Sequence, residues 1–140
     1  MQKRQVKMLS AMLVLVVLAL LAVPAAAMAN EVMPLQLMYI SDAEATMNIT
    51  GTTATVDAWV CGNVKYATKA KMIAELQVKN GNGWIPVGLW TDTQNDYMAQ
   101  VYETKSVVKG HTYRVKATAT IWEGSQSEPV TFYTEGEVGL

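Results

Sequence analysis

Lys71-Met72-Ile73-Ala74-Glu75-Leu76-Gln77-Val78-Lys79-Asn80-Gly81-Asn82-Gly83-Trp84-Ile85-Pro86-Val87-Gly88-Leu89-Trp90 is the stretch that decides how this 140-residue chain folds. Two periodicities compete in it. Met72, Ala74, Leu76 and Val78 alternate with Lys71, Ile73, Glu75, Gln77 and Lys79, the period-2 pattern of a strand with one buried face. Tyr66, Ala70, Ile73 and Ala74 also fit a helical stripe, and the composition from Ala67 to Gln77 favours a helix. Asn80-Gly81 settles the competition. Asn-Gly supplies the positive φ angles of a type I′ hairpin turn, and Trp84 to Trp90 beyond it reads as the return strand. Pro86 and Gly88 mark that return strand as an edge or a bulged one.

The same pattern recurs on both sides of this hairpin. Upstream, Leu35, Leu37 and Tyr39 alternate within a mixed lead-in, and Met47 and Ile49 alternate before Gly51. Thr53 to Cys61 is a clear strand, with Ala54, Val56, Ala58 and Val60 on one face and Thr55, Asp57, Trp59 and Cys61 on the other. Downstream, Thr91 to Asp96 reads as a polar loop. Met98 to Thr104 resumes alternation around Ala99 and Val101. Thr112 to Trp122 points Tyr113, Val115, Ala117, Ala119 and Ile121 inward, and Pro129 to Thr134 closes the series as a proline-marked edge. Seven or so strands at this spacing predict an all-β fold, a two-sheet antiparallel sandwich over residues 42–134, with 30–41 as lead-in and 135–140 as a tail.

Residues 1–29 read differently. Lys3, Arg4 and Lys7 precede an apolar run from Met8 to Val23, and Ala27-Met28-Ala29 forms an A-x-A cleavage pattern, so a cleaved signal helix and a secreted, extracellular product are expected. The apolar run is shorter than a bilayer span, so no membrane span is expected after cleavage. Removing three of the eleven basic residues and none of the twelve acidic ones leaves a net charge of −4. Scattered lysines on a mildly acidic chain predict no nucleic-acid partner.

Two segments resemble the fibronectin type III and related immunoglobulin-like families. Lys109-Gly110-His111-Thr112-Tyr113-Arg114-Val115-Lys116-Ala117 is similar to their G-x-x-Y-x-V-x-A entry into the sixth strand, and Ser127-Glu128-Pro129-Val130-Thr131-Phe132 to their closing S-x-P-V-x-F strand. The resemblance implies a sandwich module from about Asp42 to Thr134, in which Tyr113 hydrogen-bonds back to the preceding loop. It departs from the family at Trp59, which alternation puts opposite Val56 and Val60 where the family's tryptophan faces inward. The chain also resembles small secreted Gram-positive bacterial proteins of unknown function. Neither resemblance implies an active site.

No zinc-protease, nucleophile-elbow, paired-cysteine or phosphate-loop motif occurs, so no catalytic residue, metal ligand or cofactor is assigned and the expectation is a non-enzyme. Asp92 to Asp96 alternates oxygen-bearing residues but lacks the glycine and glutamate of a calcium loop, and is read as a solvated turn. Cys61 is the only cysteine. It reads as a small buried strand-end residue or as an intermolecular disulfide joining a homodimer. Trp59, Trp84, Trp90 and Trp122 all fall off the aliphatic rows. They are the candidate ligand-binding residues, with Trp90 and Trp122 as the leading pair and Tyr97 and Tyr102 as neighbours. The expected function is a secreted binding module for a cell-surface glycan or protein. The alternative is a structural protein that assembles through edge strands or Cys61.

Overall fold

A computed structural model describes residues 37–140; the export leader expected over 1–29 and most of the lead-in lie outside the described residues. Within them the chain forms eight strands and no helix. These are β1 (Ile40–Thr50), β2 (Thr53–Gly62), β3 (Lys69–Asn80), β4 (Gly83–Gln94), β5 (Met98–Ser106), β6 (Thr112–Glu123), β7 (Gln126–Tyr133) and β8 (Glu137–Val138). Every pairing is antiparallel. Sheet A has the order β1-β2-β5 and sheet B the order β4-β3-β6-β7, with β8 pairing β6.

The hairpin expected at residues 71–90 is present, but its corner sits one residue further on. Asn80 pairs with Gly83, so the two-residue loop is Gly81-Asn82. Only Gly81 has positive φ, at 58°. That is the type II′ pattern, which needs glycine at the first loop position alone. Gly51-Thr52 and Gly124-Ser125 turn the β1–β2 and β6–β7 hairpins in the same way.

The inward rows of β2, β3, β5 and β6 meet between the sheets. Val56, Val60, Met72, Leu76, Val115 and Ile121 are its largest fully buried side chains, with alanines filling the close approaches. Tyr113 is buried at the end of β6, and its hydroxyl accepts the Val108 N–H at 2.8 Å. Pro86 and Pro129 fall on edge strands, where a missing N–H costs no ladder bond.

Three stretches depart from expectation. β1 is longer than the Met47–Ile49 alternation suggested, because alanines at 43 and 45 hold its inward positions and give a weak apolar signal. Thr91–Gln94 continues β4 instead of forming a loop; the Asp92 carboxylate accepts the Gln100 N–H at 3.0 Å and the Gln94 amide at 2.6 Å. The tail supplies β8, and the Glu137 carboxylate accepts the Ile49 N–H at 3.0 Å.

Carboxylates therefore cap the free edge of β1. Glu137 holds one end, Asp42 accepts the Ala43 N–H at 2.9 Å, and Glu128 of β7 accepts those of Met38, Tyr39 and Ile40 at 2.9, 2.8 and 3.0 Å. Desolvation pushes the Glu128 carboxyl up, but the three N–H donors outweigh it and hold its pKa below the ordinary 4.5. A lowered folded value means that the contribution to stability is full above about pH 4.5 and fades as pH falls through the folded value. Melting curves across that window should show the wild type losing more stability on acidification than Glu128→Gln. At neutral pH, Glu128→Ala should cost on the order of 1 kcal/mol, since solvent screens a partly exposed carboxylate. Parallel pH profiles for wild type and Glu128→Gln would contradict the clamp.

Candidate functional site

Two broad faces point away from the core. On sheet B, register places side by side the outward rows of Lys69, Lys71, Ile73, Glu75, Gln77 and Lys79 on β3 and of Arg114, Lys116, Thr118, Thr120 and Trp122 on β6. Tyr133 joins opposite Lys116, and Trp84 opposite Lys79. Five of the eight basic residues that follow the leader thus share these outward strand rows with one carboxylate, Glu75. The even scatter of lysines along the sequence becomes a concentrated positive field once β3 and β6 lie together.

Aromatic rings hold the cations at both ends of this face. At one end, the Arg114 guanidinium lies between Trp84 and Tyr133, 4.2 and 4.4 Å from their ring centroids. Gln77, only 7% exposed, accepts the Arg114 Nε–H at 2.8 Å and donates its own amide to Glu75. Arg114 is therefore fixed in the plane by stacking and in rotation by a buried amide. At the other end, the Lys69 ammonium stands 4.6 Å from the Trp122 ring centroid.

Sheet A presents the opposite charge. Its outward rows run from Asp42–Cys61–Met98 through Glu44–Trp59–Gln100 and Thr46–Asp57–Tyr102 to Asn48–Thr55–Thr104, with acidic groups and no lysine or arginine. Trp59 is half-buried there, and no register shift breaks β2 beside it, so the departure from an inward tryptophan stands. Cys61 is a free thiol, half-buried on this outer face rather than in the core.

The four indoles do not form one platform. Trp59 belongs to sheet A's outer face, and Trp84 and Trp122 to opposite ends of sheet B's. Trp90 packs against the core, which corrects its expected outward position. A bulge is the cause. Leu76 pairs with Gly88 and Gln77 with Pro86, leaving Val87 unpaired and reversing the alternation between Trp84 and Trp90. Tyr102 lies on sheet A's outer face, apart from Trp122, and Tyr97 lies in the β4–β5 connection, where its carbonyl accepts the Gly62 N–H at 2.8 Å. Cys61 and His111 are likewise apart. Gly62 abuts Ile121 near one end of β6, and His111 precedes its other end, roughly 30 Å along the strand.

No protein-family model matches the chain, and no curated protein matches it. Function has to be read from these two faces. Sequence reasoning missed Arg114, Tyr133 and Gln77. Their outward parity was visible, but the pairing of β3 with β6, from Val78 with Tyr113 to Lys69 with Trp122, was not.

Proposed function

We propose that the chain is an exported, non-enzymatic binding module of fibronectin type III-like architecture, acting at a Gram-positive cell surface through the outer face of sheet B. The strand orders β1-β2-β5 and β4-β3-β6-β7 and the Tyr113–Val108 hydrogen bond support the architecture. The leader pattern supports export. The observation that carries the binding role is the Trp84–Arg114–Tyr133 stack, a cation and two rings ordered together on a surface otherwise lined by lysines. Ordered, rotamer-locked groups lose little entropy when a partner arrives, which is what a contact surface needs. Tyr133 is 51% exposed and offers ring area to that partner.

Labelled protein should bind intact Gram-positive cells. Trp84→Ala combined with Tyr133→Ala should weaken that binding about tenfold or more, the scale of losing an aromatic hot spot. Trp59→Ala, on the opposite sheet, should leave it unchanged. Equal binding by all three proteins would remove this face from consideration.

A structural role is the second reading, favoured by one observation: the free thiol of Cys61 lies on an outer face. Edge-to-edge assembly is less well served. Carboxylates cap β1, and prolines interrupt β4 and β7.

A further inference from the structure

We infer that the partner of sheet B's outer face is an anionic polysaccharide, a glycan chain bearing carboxylate, sulfate or phosphate groups; this rests on the binding reading above and names its ligand class. The charge balance is the first reason. Along the paired outward rows, Lys69, Lys71, Lys79, Arg114 and Lys116 meet one carboxylate, Glu75, which is already engaged by the Gln77 amide. Such a face attracts polyanions over a Debye length and repels cationic partners.

The second reason is the state of Arg114. Among the described residues its side chain donates one hydrogen bond, from Nε to buried Gln77, and its guanidinium carbon stands over the Trp84 and Tyr133 rings. Both Nη groups are left for a ligand. A guanidinium held this way is a prepared fork for two oxygens of one carboxylate, sulfate or phosphate group.

Extent is the third reason, and it selects a polymer over a small anion. Arg114 and Trp122 stand eight residues apart on β6, roughly 26 Å at the rise of a strand. Lys71 and Lys116 lie between these ends. A row of cations along an open sheet face matches repeated charges on an extended chain. The rings are already covered on one face by cations, so charge, more than stacking on neutral sugar, is what this surface has to offer. Sheet A's acidic face repels the same ligand and leaves one side for it to occupy.

Calorimetry of the purified protein with polygalacturonate, heparin oligosaccharides and neutral dextran tests this. One or both polyanions should bind, dextran should not, and affinity should fall as salt is raised. Lys69→Gln, Lys71→Gln, Lys79→Gln and Lys116→Gln combined should weaken binding about tenfold or more. Arg114→Lys, which keeps the charge but loses the fork, should weaken it several-fold. The lysine variant touches only surface groups, so it keeps the test decisive if Arg114→Lys unfolds. Full affinity in the lysine variant overturns the inference, as does failure of both polyanions to bind. Dextran bound equally well, and lost in the Trp84→Ala, Tyr133→Ala double variant, would overturn the anionic ligand while keeping the binding face. Self-association at low salt, abolished either by the lysine variant or by Asp42→Asn with Glu44→Gln, would make a second copy the occupant and also overturn it.

Discussion

Leu76→Ala is expected to lower the folding free energy by about 3–4 kcal/mol, within the range of buried leucine truncations. Leu76 is fully buried at the centre of sheet B, paired to Gly88 on one side and Val115 on the other. The composition of the core makes the loss large. Seven of the eighteen buried apolar residues are alanines, so the few long side chains carry most of the contact between the sheets. Gly88 opposite Leu76 has no side chain of its own to fill the void, and a fixed backbone on both flanks prevents the strand from closing it. A domain this size holds only about 5–15 kcal/mol in total. The melting temperature should therefore drop by roughly 12–32 °C, at about 4–8 °C per kcal/mol. Urea titration should show a lower midpoint with an unchanged slope, since the variant exposes the same surface on unfolding. Leu89→Ala supplies the contrast. Leu89 is 64% exposed in the same hairpin, and its loss should cost less than about 0.5 kcal/mol. Equal costs at the two sites would mean that the buried row of this hairpin is misassigned.

The contrast between Leu76 and Leu89 also marks where the sequence is informative. Period-2 alternation assigns the inward rows of β2, β3 and β6 correctly because each strand is regular and central, so one residue in two is sealed and the apolar pattern is unbroken. β4 is an edge strand, free to bulge because only one neighbour constrains it. Its aliphatic residues Ile85 and Leu89 are 45% and 64% exposed, while Trp90, which alternation places outside, joins the core. Pro86 and Gly88 announced an irregularity without saying which side chains it would turn. The basic face was hidden for a different reason. Charge alternation along β3 and along β6 is local information, but their adjacency follows from the crossover that separates them in sequence, and a net charge of one sign conceals a face of the other. The capped edge of β1 was equally out of reach, since Glu128 and Glu137 act on backbone groups almost ninety residues away.

Trp90→Ala is expected to cost about 2–3 kcal/mol of stability, somewhat below a fully buried tryptophan because the ring is half-buried. Its surroundings allow a sharper test than a single substitution. Gly88 lies under the indole, where a Cβ would stand 2.7 Å from Trp90 Cη2 and 3.2 Å from Cζ2. Gly88→Ala in the wild type should thus force the ring or the bulge to move, at about 1–3 kcal/mol. In the Trp90→Ala background the same methyl no longer meets the ring atoms nearest to it, and its cost should shrink to within about 0.5 kcal/mol of zero, a coupling that a double-mutant cycle measured by chemical denaturation resolves. An outward Trp90, as unbroken alternation would have it, gives the opposite pattern: little loss on truncation and two independent substitutions. The cycle also separates folding from binding. Trp84 and Tyr133 lie on the outer face of sheet B, and their loss should act on ligand capture, whereas loss of Trp90 should act on the fraction of folded protein. A Trp90→Ala protein that is still folded at low temperature should then bind cells as the wild type does, because nothing it removes faces the cations of β3 and β6.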